Sequence, residues 1–309
     1  MNSAEGPLKS EGDRYLITAI QQGDDAAFRQ LIDRFTGRLK AYAARRLQGT
    51  GLDPEDAVQE TFLGLIQGLG RLDQVRSLEA YLFSILRNKI SDLAARRPEA
   101  HGLHRVPLAG EDSNSGLHGH EPVAPGGTPS SHARRDESRE SRAHVLTDIL
   151  EDVISALKEE KDFRDLKILE LMFFSSWKNR DIAQVVGVSE PTVTRVKTAT
   201  IEKLARLAAR HALGPQALEF LEAEERASAL IRETWGENLL SCVKRSTLGA
   251  FALGVLDAGW RDYVSFHIET AGCEACAANL ADLKSEATPE ATAARERLFQ
   301  SSIGFLRKR

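Results

Sequence analysis

Asn179-Arg-Asp-Ile-Ala-Gln-Val-Val-Gly-Val-Ser-Glu-Pro-Thr-Val-Thr-Arg-Val-Lys197 sets two apolar helical stripes on either side of one glycine. Two helices joined by a tight turn need a small residue where they touch. They need glycine where the turn demands a positive φ, and an apolar residue on the second helix to close the core. Ala183, Gly187 and Val193 stand at the offsets for these roles, with Ile182, Val186, Val188 and Val196 around them. Ser189 suits the cap of the second helix and Pro191 its first turn. The pattern predicts a helix-turn-helix rather than an ordinary helical hairpin with solvated charges. In such a unit the second helix enters the DNA major groove with its N-terminal end leading. Its outward residues would be Glu190, Thr192, Thr194, Arg195 and Lys197. Arg195 and Lys197 suit bases or phosphates, and the two threonines suit either.

Working outward, the whole chain reads as all-α. Its 309 residues are 42% hydrophobic and 28% charged but only 6% aromatic, with Ala, Leu, Arg and Glu abundant. That balance favours helices over sheets. The formal net charge of −4 means that nucleic-acid binding must come from local basic faces rather than bulk charge. No apolar run approaches the roughly 20 residues needed to span a bilayer. The polar stretch Met1–Asp13 lacks the apolar core of a secretory signal, so the expected location is the cytoplasm, away from membranes.

Three helical blocks follow from the apolar spacing. Residues 14–97 carry three helical patterns, one with Phe28, Leu31, Phe35 and Leu39 at helical intervals. Asp53-Pro54-Glu55 reads as a capped start and Ser77 as the start of the next helix. Residues 98–142 are rich in Pro, Gly, Ser and His and read as a flexible linker. Residues 143–212 hold two further helical patterns and the helix-turn-helix. Residues 213–289 open with a charged connecting helix and then a small unit holding every cysteine; residues 290–309 read as a solvated helix with a basic tip.

The stretch Asp53-Pro-Glu-Asp-Ala-Val-Gln-Glu-Thr-Phe-Leu63 carries an acidic, polar stripe flanked by a phenylalanine. Arg76-Ser-Leu-Glu-Ala-Tyr-Leu-Phe-Ser-Ile-Leu-Arg-Asn-Lys-Ile-Ser-Asp-Leu-Ala-Ala-Arg-Arg97 becomes basic in its second half, where Arg87, Lys89, Arg96 and Arg97 outnumber Asp92. Such a face tracks phosphates, and Asn88 offers both a donor and an acceptor to a base edge. Together these stretches resemble the sigma-70 superfamily, specifically its extracytoplasmic-function (ECF) group. The resemblance rests on Asp56, Gln59, Glu60, Thr61 and Phe62 in the first stretch. In the second it rests on Leu78, Tyr81, Leu82, Ile85, Arg87 and Asn88. It implies that Asp56, Gln59, Glu60 and Phe62 dock on the β′ clamp helices of core RNA polymerase. It implies that Arg76, Arg87, Asn88, Lys89, Arg96 and Arg97 read and melt the promoter −10 element, and that the helix-turn-helix reads the −35 element beside the β flap. The loop from Gly70 to Arg76 lies where the family captures a flipped base; Tyr81 reads as core rather than as a stacking platform. A separate anti-sigma or signalling protein is a further partner class of this family.

Cys242, His267, Cys273 and Cys276 form Cys-x24-His-x5-Cys-x2-Cys. Three thiolates and an imidazole suit one structural Zn2+ in a closed tetrahedral site. The odd cysteine count argues against a disulfide framework. Metal-free thiols, inert or redox-sensitive, and a different metal are the competing readings. The block resembles the zinc-binding domain of anti-sigma factors, departing from it in a His-to-Cys gap of five residues where three is the pattern. That resemblance implies regulation of the rest of the chain in cis. Catalysis finds no support: there is no phosphate-binding glycine loop, no His-Glu-x-x-His, and no nucleophile context around Ser, His and Asp. The competing functional reading is a conventional helix-turn-helix regulator acting without polymerase, which leaves residues 53–97 unexplained.

Overall fold

Asp24, Asp53 and Ser77 mark where the first long helices begin, and each does so as a side-chain cap. In the computed structural model the described residues are 10–95, 129–210, 224–285 and 288–308, with side chains at 71, 73, 74, 129–143 and 224–226 excepted. Among them there are helices and turns but no strand, so the all-α expectation holds. The chain divides into two units, one formed within 1–105, 243–256 and 273–309, the other within 106–242 and 257–272.

The first unit is built on α1 (Glu11–Gln21), α2 (Asp25–Arg46), α3 (Pro54–Gly68) and α4 (Leu78–Ala95). Asp24 accepts from the backbone N–H groups of Ala26 and Ala27, and Asp53 from that of Glu55 at 2.8 Å, with Pro54 in the first turn. Each bond satisfies donors that a helix start otherwise leaves orphaned. Ser77 accepts from Ala80 in the same way. A short 3-10 turn, Leu69–Gln74, joins α3 towards α4. Phe28, Phe35, Phe62, Leu65, Leu82 and Phe83 are fully buried at the centre.

Three helices from the end of the chain complete this unit: α10 (Arg245–Ala252), α12 (Glu274–Lys284) and α13 (Pro289–Leu306). Helix α12 packs on α2 and α10, and α13 packs on α2 and α3. A Cβ at Gly37 of α2 would meet the Asp282 carboxylate of α12, so the glycine leaves room for that side chain where it stands. The expected solvated tail over 290–309 is therefore not what forms. Ala294, Leu298, Phe299, Ser302, Ile303 and Leu306 recur every three or four residues and are buried. They make a stripe that finds α2 and α3.

The second unit holds α5 (Pro129–Glu159), α6 (Phe163–Leu169), a π turn over Glu170–Phe174, α7 (Asn179–Val186), α8 (Glu190–Arg210), α9 (Glu224–Asn238), α11 (Ala258–Ser265) and a second π turn over Phe266–Thr270. Helix α5 begins at Pro129, inside the stretch expected to be linker; residues 96–128 lie outside the described ones. Helix α9 buries Ala227, Ile231, Thr234 and Trp235, so it is core rather than a charged connector. Phe163 stacks on Tyr263 with centroids 5.0 Å apart and meets Trp260 edge-on at 5.1 Å. Trp235 donates its indole N–H to the Ser241 hydroxyl, and Lys158 donates to the Ser241 and Cys242 carbonyls. These bonds pin the turn that presents Cys242.

Candidate functional site

The helix-turn-helix forms as its spacing predicts. Gly187 ends α7 in the left-handed region at φ 75°. Its N–H and that of Val188 both donate to the Ala183 carbonyl, at 3.0 and 2.9 Å, closing the helix end as a left-handed cap does. Ile182, Ala183, Val193 and Val196 are buried between α7 and α8; Val186 and Val188 are half-buried. Of the five outward candidates, Glu190, Thr194 and Arg195 are exposed, while Thr192 and Lys197 are half-buried. Two hydroxyls already have local work. Thr192 lies 3.0 Å from the Ser189 hydroxyl; Thr194 donates to the Glu190 carbonyl and accepts from Asn179. Arg195 is thus the exposed cation at the leading end of α8. Arg180, exposed in the first turn of α7, adds a second cation that the sequence reading passed over. Its position at the start of the first helix of the motif was the available signal.

In the first unit the two sets of candidates share neighbouring helices. Helix α3 leaves Asp56 exposed and Gln59 and Glu60 half-buried, one turn apart. Phe62 departs from the expected flank of this stripe. It is fully buried and meets Phe28 edge-on at 6.5 Å, so it shapes α3 from within. On α4, Asn88 is exposed and Arg87, Lys89 and Tyr81 are half-buried; Arg76, just before the helix, is half-buried too. Lys89 reaches Glu60 at 3.3 Å. The structure therefore pairs one residue of the acidic stripe with one of the basic face. Arg96 and Arg97 lie outside the described residues. Glu55, just ahead of Asp56, is held below the usual carboxylate range, first by the Arg297 guanidinium bonded to it and also by Lys40. Burial pushes the Tyr42 phenol well above its ordinary range, with the Glu274 carboxylate adding to the effect.

Cys242, His267, Cys273 and Cys276 each bring a ligand atom to one place, all within 4.8 Å of one another. None of the cysteines is in a disulfide, and only Cys242 is more than buried-core in exposure. His267 Nδ1 lies 2.5 Å from Glu170 Oε1, and both side chains are fully buried. A carboxylate on one ring nitrogen fixes the imidazole's tautomer and turns the other nitrogen to a metal. Glu170 and His267 each sit in a π turn, a distortion that recurs at functional sites. The donor set, three sulfurs and an imidazole with a buried carboxylate behind it, fits zinc. The four ligands are legible in the sequence; Glu170 is not, because its only signal is an acidic residue inside an apolar run.

Residues 31–98 match the family described as Sigma-70 region 2. The RNA polymerase sigma factor NccH of Alcaligenes xylosoxydans xylosoxydans is 37% identical over 91 residues, 29% of this chain and 48% of that protein. The ECF RNA polymerase sigma factor SigF of Caulobacter vibrioides is 37% identical over 75 residues, 24% of this chain and 42% of its own length. The RNA polymerase sigma factor CnrH of Cupriavidus metallidurans is 37% identical over 83 residues, 27% of this chain and 43% of that protein. The chain thus spans less than half the length of each of these curated relatives. No solved structure matches. Among the described residues no helix is long and apolar enough to cross a membrane. Residues 31–98 are thus similar to Sigma-70 region 2, and the relatives that share this similarity are themselves named as sigma factors, one of them of the ECF group.

Proposed function

We propose that the chain directs promoter-specific transcription initiation as a sigma subunit of RNA polymerase in the cytoplasm. The observation that carries this reading is the pairing, in one chain, of a region 2 bundle over 31–98 with a helix-turn-helix at 179–210. Region 2 binds core polymerase through the exposed edge of α3, with Asp56, Gln59 and Glu60 offering acceptors to a basic partner. Phe62 acts indirectly, by holding α3 in place. Promoter contacts come from Asn88, Arg87, Lys89 and Arg76 on and before α4, with Arg96 and Arg97 beyond the described residues. Arg195, Lys197, Glu190, Thr192 and Thr194 on α8 read a second promoter element, with Arg195 the leading contact. Melting is assisted by any pocket that stabilises an unstacked base, since unstacking costs only a few kcal/mol.

The test is reconstituted transcription with core enzyme on a promoter library. Selection of a two-part promoter that depends on the chain supports the reading. Tight operator binding without co-elution with core polymerase would replace it with a conventional helix-turn-helix regulator. One structural zinc held by Cys242, His267, Cys273 and Cys276, with Glu170 orienting the imidazole, is the cofactor we propose. A zinc ion there would add to folding stability, because the ligands gather only in the folded chain.

A further inference from the structure

Within the first unit, residues of α2, α10, α12 and α13 line a cavity of about 410 Å3. Arg34, Arg38 and Lys40 reach it from α2, Arg245 from the first turn of α10 and Arg295 from α13. The carboxylates in the same wall are Asp33 and Asp282, so five cations face two acids. The volume lies in the range that takes small ligands.

Four of the cations have part of their donor capacity committed. Arg34 donates to Asp13 at 2.6 Å, Arg38 to Glu79 at 3.1 Å and Lys40 to Glu55 at 3.2 Å. Arg245 donates to Asn279 at 3.2 Å and also to Asp282. Carboxylates behind the wall therefore offset part of the excess, although Glu55 is itself shared with Arg297. Arg295 makes no hydrogen bond or ion pair among the described residues. A guanidinium carries five N–H groups, so one or two bonds leave several over.

Arg38 decides the chemistry of the recess. Its side chain is 4% exposed, and its Nε has no hydrogen-bond partner among the described residues. A buried donor left unpaired is costly. Arg34 and Arg38 lie over the Phe35 ring at 4.9 and 4.8 Å. Stacking uses the faces of the guanidiniums and leaves their N–H edges for a ligand. Burial holds Arg38 below its ordinary pKa, and the nearby Arg245 cation acts in the same direction against the pull of Glu79. An anion relieves both effects.

We propose that this cavity binds a small soluble phosphate-bearing anion, with Arg38, Arg245 and Arg295 as its principal donors. Phosphate carries about −1.5 to −2 at neutral pH, and arginine forks match its oxygens. Asp33, exposed in the same wall, offers an acceptor to a hydroxyl of a larger phosphate ester. A nucleic-acid duplex does not suit the recess, because a guanidinium only 4% exposed lies out of reach of a rigid backbone. The site is independent of the polymerase reading.

The full-length chain tests it by equilibrium dialysis against labelled inorganic phosphate and, separately, adenosine monophosphate, at constant ionic strength. Arg38→Lys keeps the charge that Glu79 pairs with and removes the fork. Arg295→Gln removes a cation that no described residue engages. Circular dichroism checks both folds, and if Arg38→Lys does not fold, Arg295→Gln decides. The expected result is saturable binding to the native chain, weakened at least about tenfold in each folded variant. Binding of phosphate alone assigns the free ion, and binding of the nucleotide alone assigns a phosphate ester; either supports the site. No saturation by about 10 mM of either ligand overturns it. Equal affinity in native chain and variants also overturns it, because the anion then sits elsewhere. Displacement of the bound phosphate by duplex DNA overturns it in favour of a DNA-backbone contact.

Discussion

Phe62 and Gly187 show how one residue's chemistry constrains a whole face. Phe62 is fully buried among aromatic neighbours, so Phe62→Ala should destabilise the first unit by about 3–5 kcal/mol. Thermal melting should show that loss before any polymerase-binding assay is interpreted, because a weakened interaction in this variant would report unfolding. Gly187 is the reverse case. A Cβ there has open space around it, yet its φ of 75° lies where side chains are strained. Gly187→Ala should therefore cost about 1–2 kcal/mol from backbone strain alone. DNA binding should weaken with little change in the melting of the first unit. A melt in which both units lose stability equally would contradict that local account. Both positions were legible in the sequence as important. The role of Phe62 was not, because a phenylalanine at an i+3 position beside a polar stripe reads the same whether it points out or in.

At the scale of elements, the helix starts were the most legible feature. Asp53-Pro54 and Ser77 cap where the chain says they should, since capping needs only residues within one turn. The fate of the last helix was not legible in that way. Its stripe of 294, 298, 299, 302, 303 and 306 is visible once known, but Arg295, Glu296 and Arg297 interrupt it and read as solvation. The clasp it forms has a pH signature. The carboxyls of Glu55 and Glu296 are held below their ordinary 4.5, by Arg297 and Arg29 respectively. A depressed folded-state pKa means that the stabilisation is fully present above the unfolded value and is lost as pH falls through the folded one. Protection of the amides over 289–306, relative to their intrinsic exchange rate, should accordingly fall below about pH 4.5, and Glu55→Gln should flatten that dependence. An identical acid response in the variant would remove Glu55 from the clasp.

For the whole molecule, the four metal-ligand candidates make the sharpest prediction. Purified chain should carry one zinc, and a strong chelator should lower its melting temperature. Cys276→Ser should lose the metal and most of the chelator response. A metal-free protein whose melting ignores chelator would favour the thiol reading. What the amino-acid order determined by itself was local: the all-α class, the caps, the helix-turn-helix around Ala183, Gly187 and Val193, and the four ligand candidates. Each of these depends on spacing within a turn or two, or on a rare residue type. Only the tertiary structure decided that Phe62 faces inward, that Lys89 pairs with Glu60, that Glu170 stands behind His267, and that the C-terminal helices lie on region 2. Those outcomes depend on contacts between residues tens to hundreds of positions apart. Any one apolar stripe or charged side chain has many acceptable partners at such distances, and packing alone selects among them.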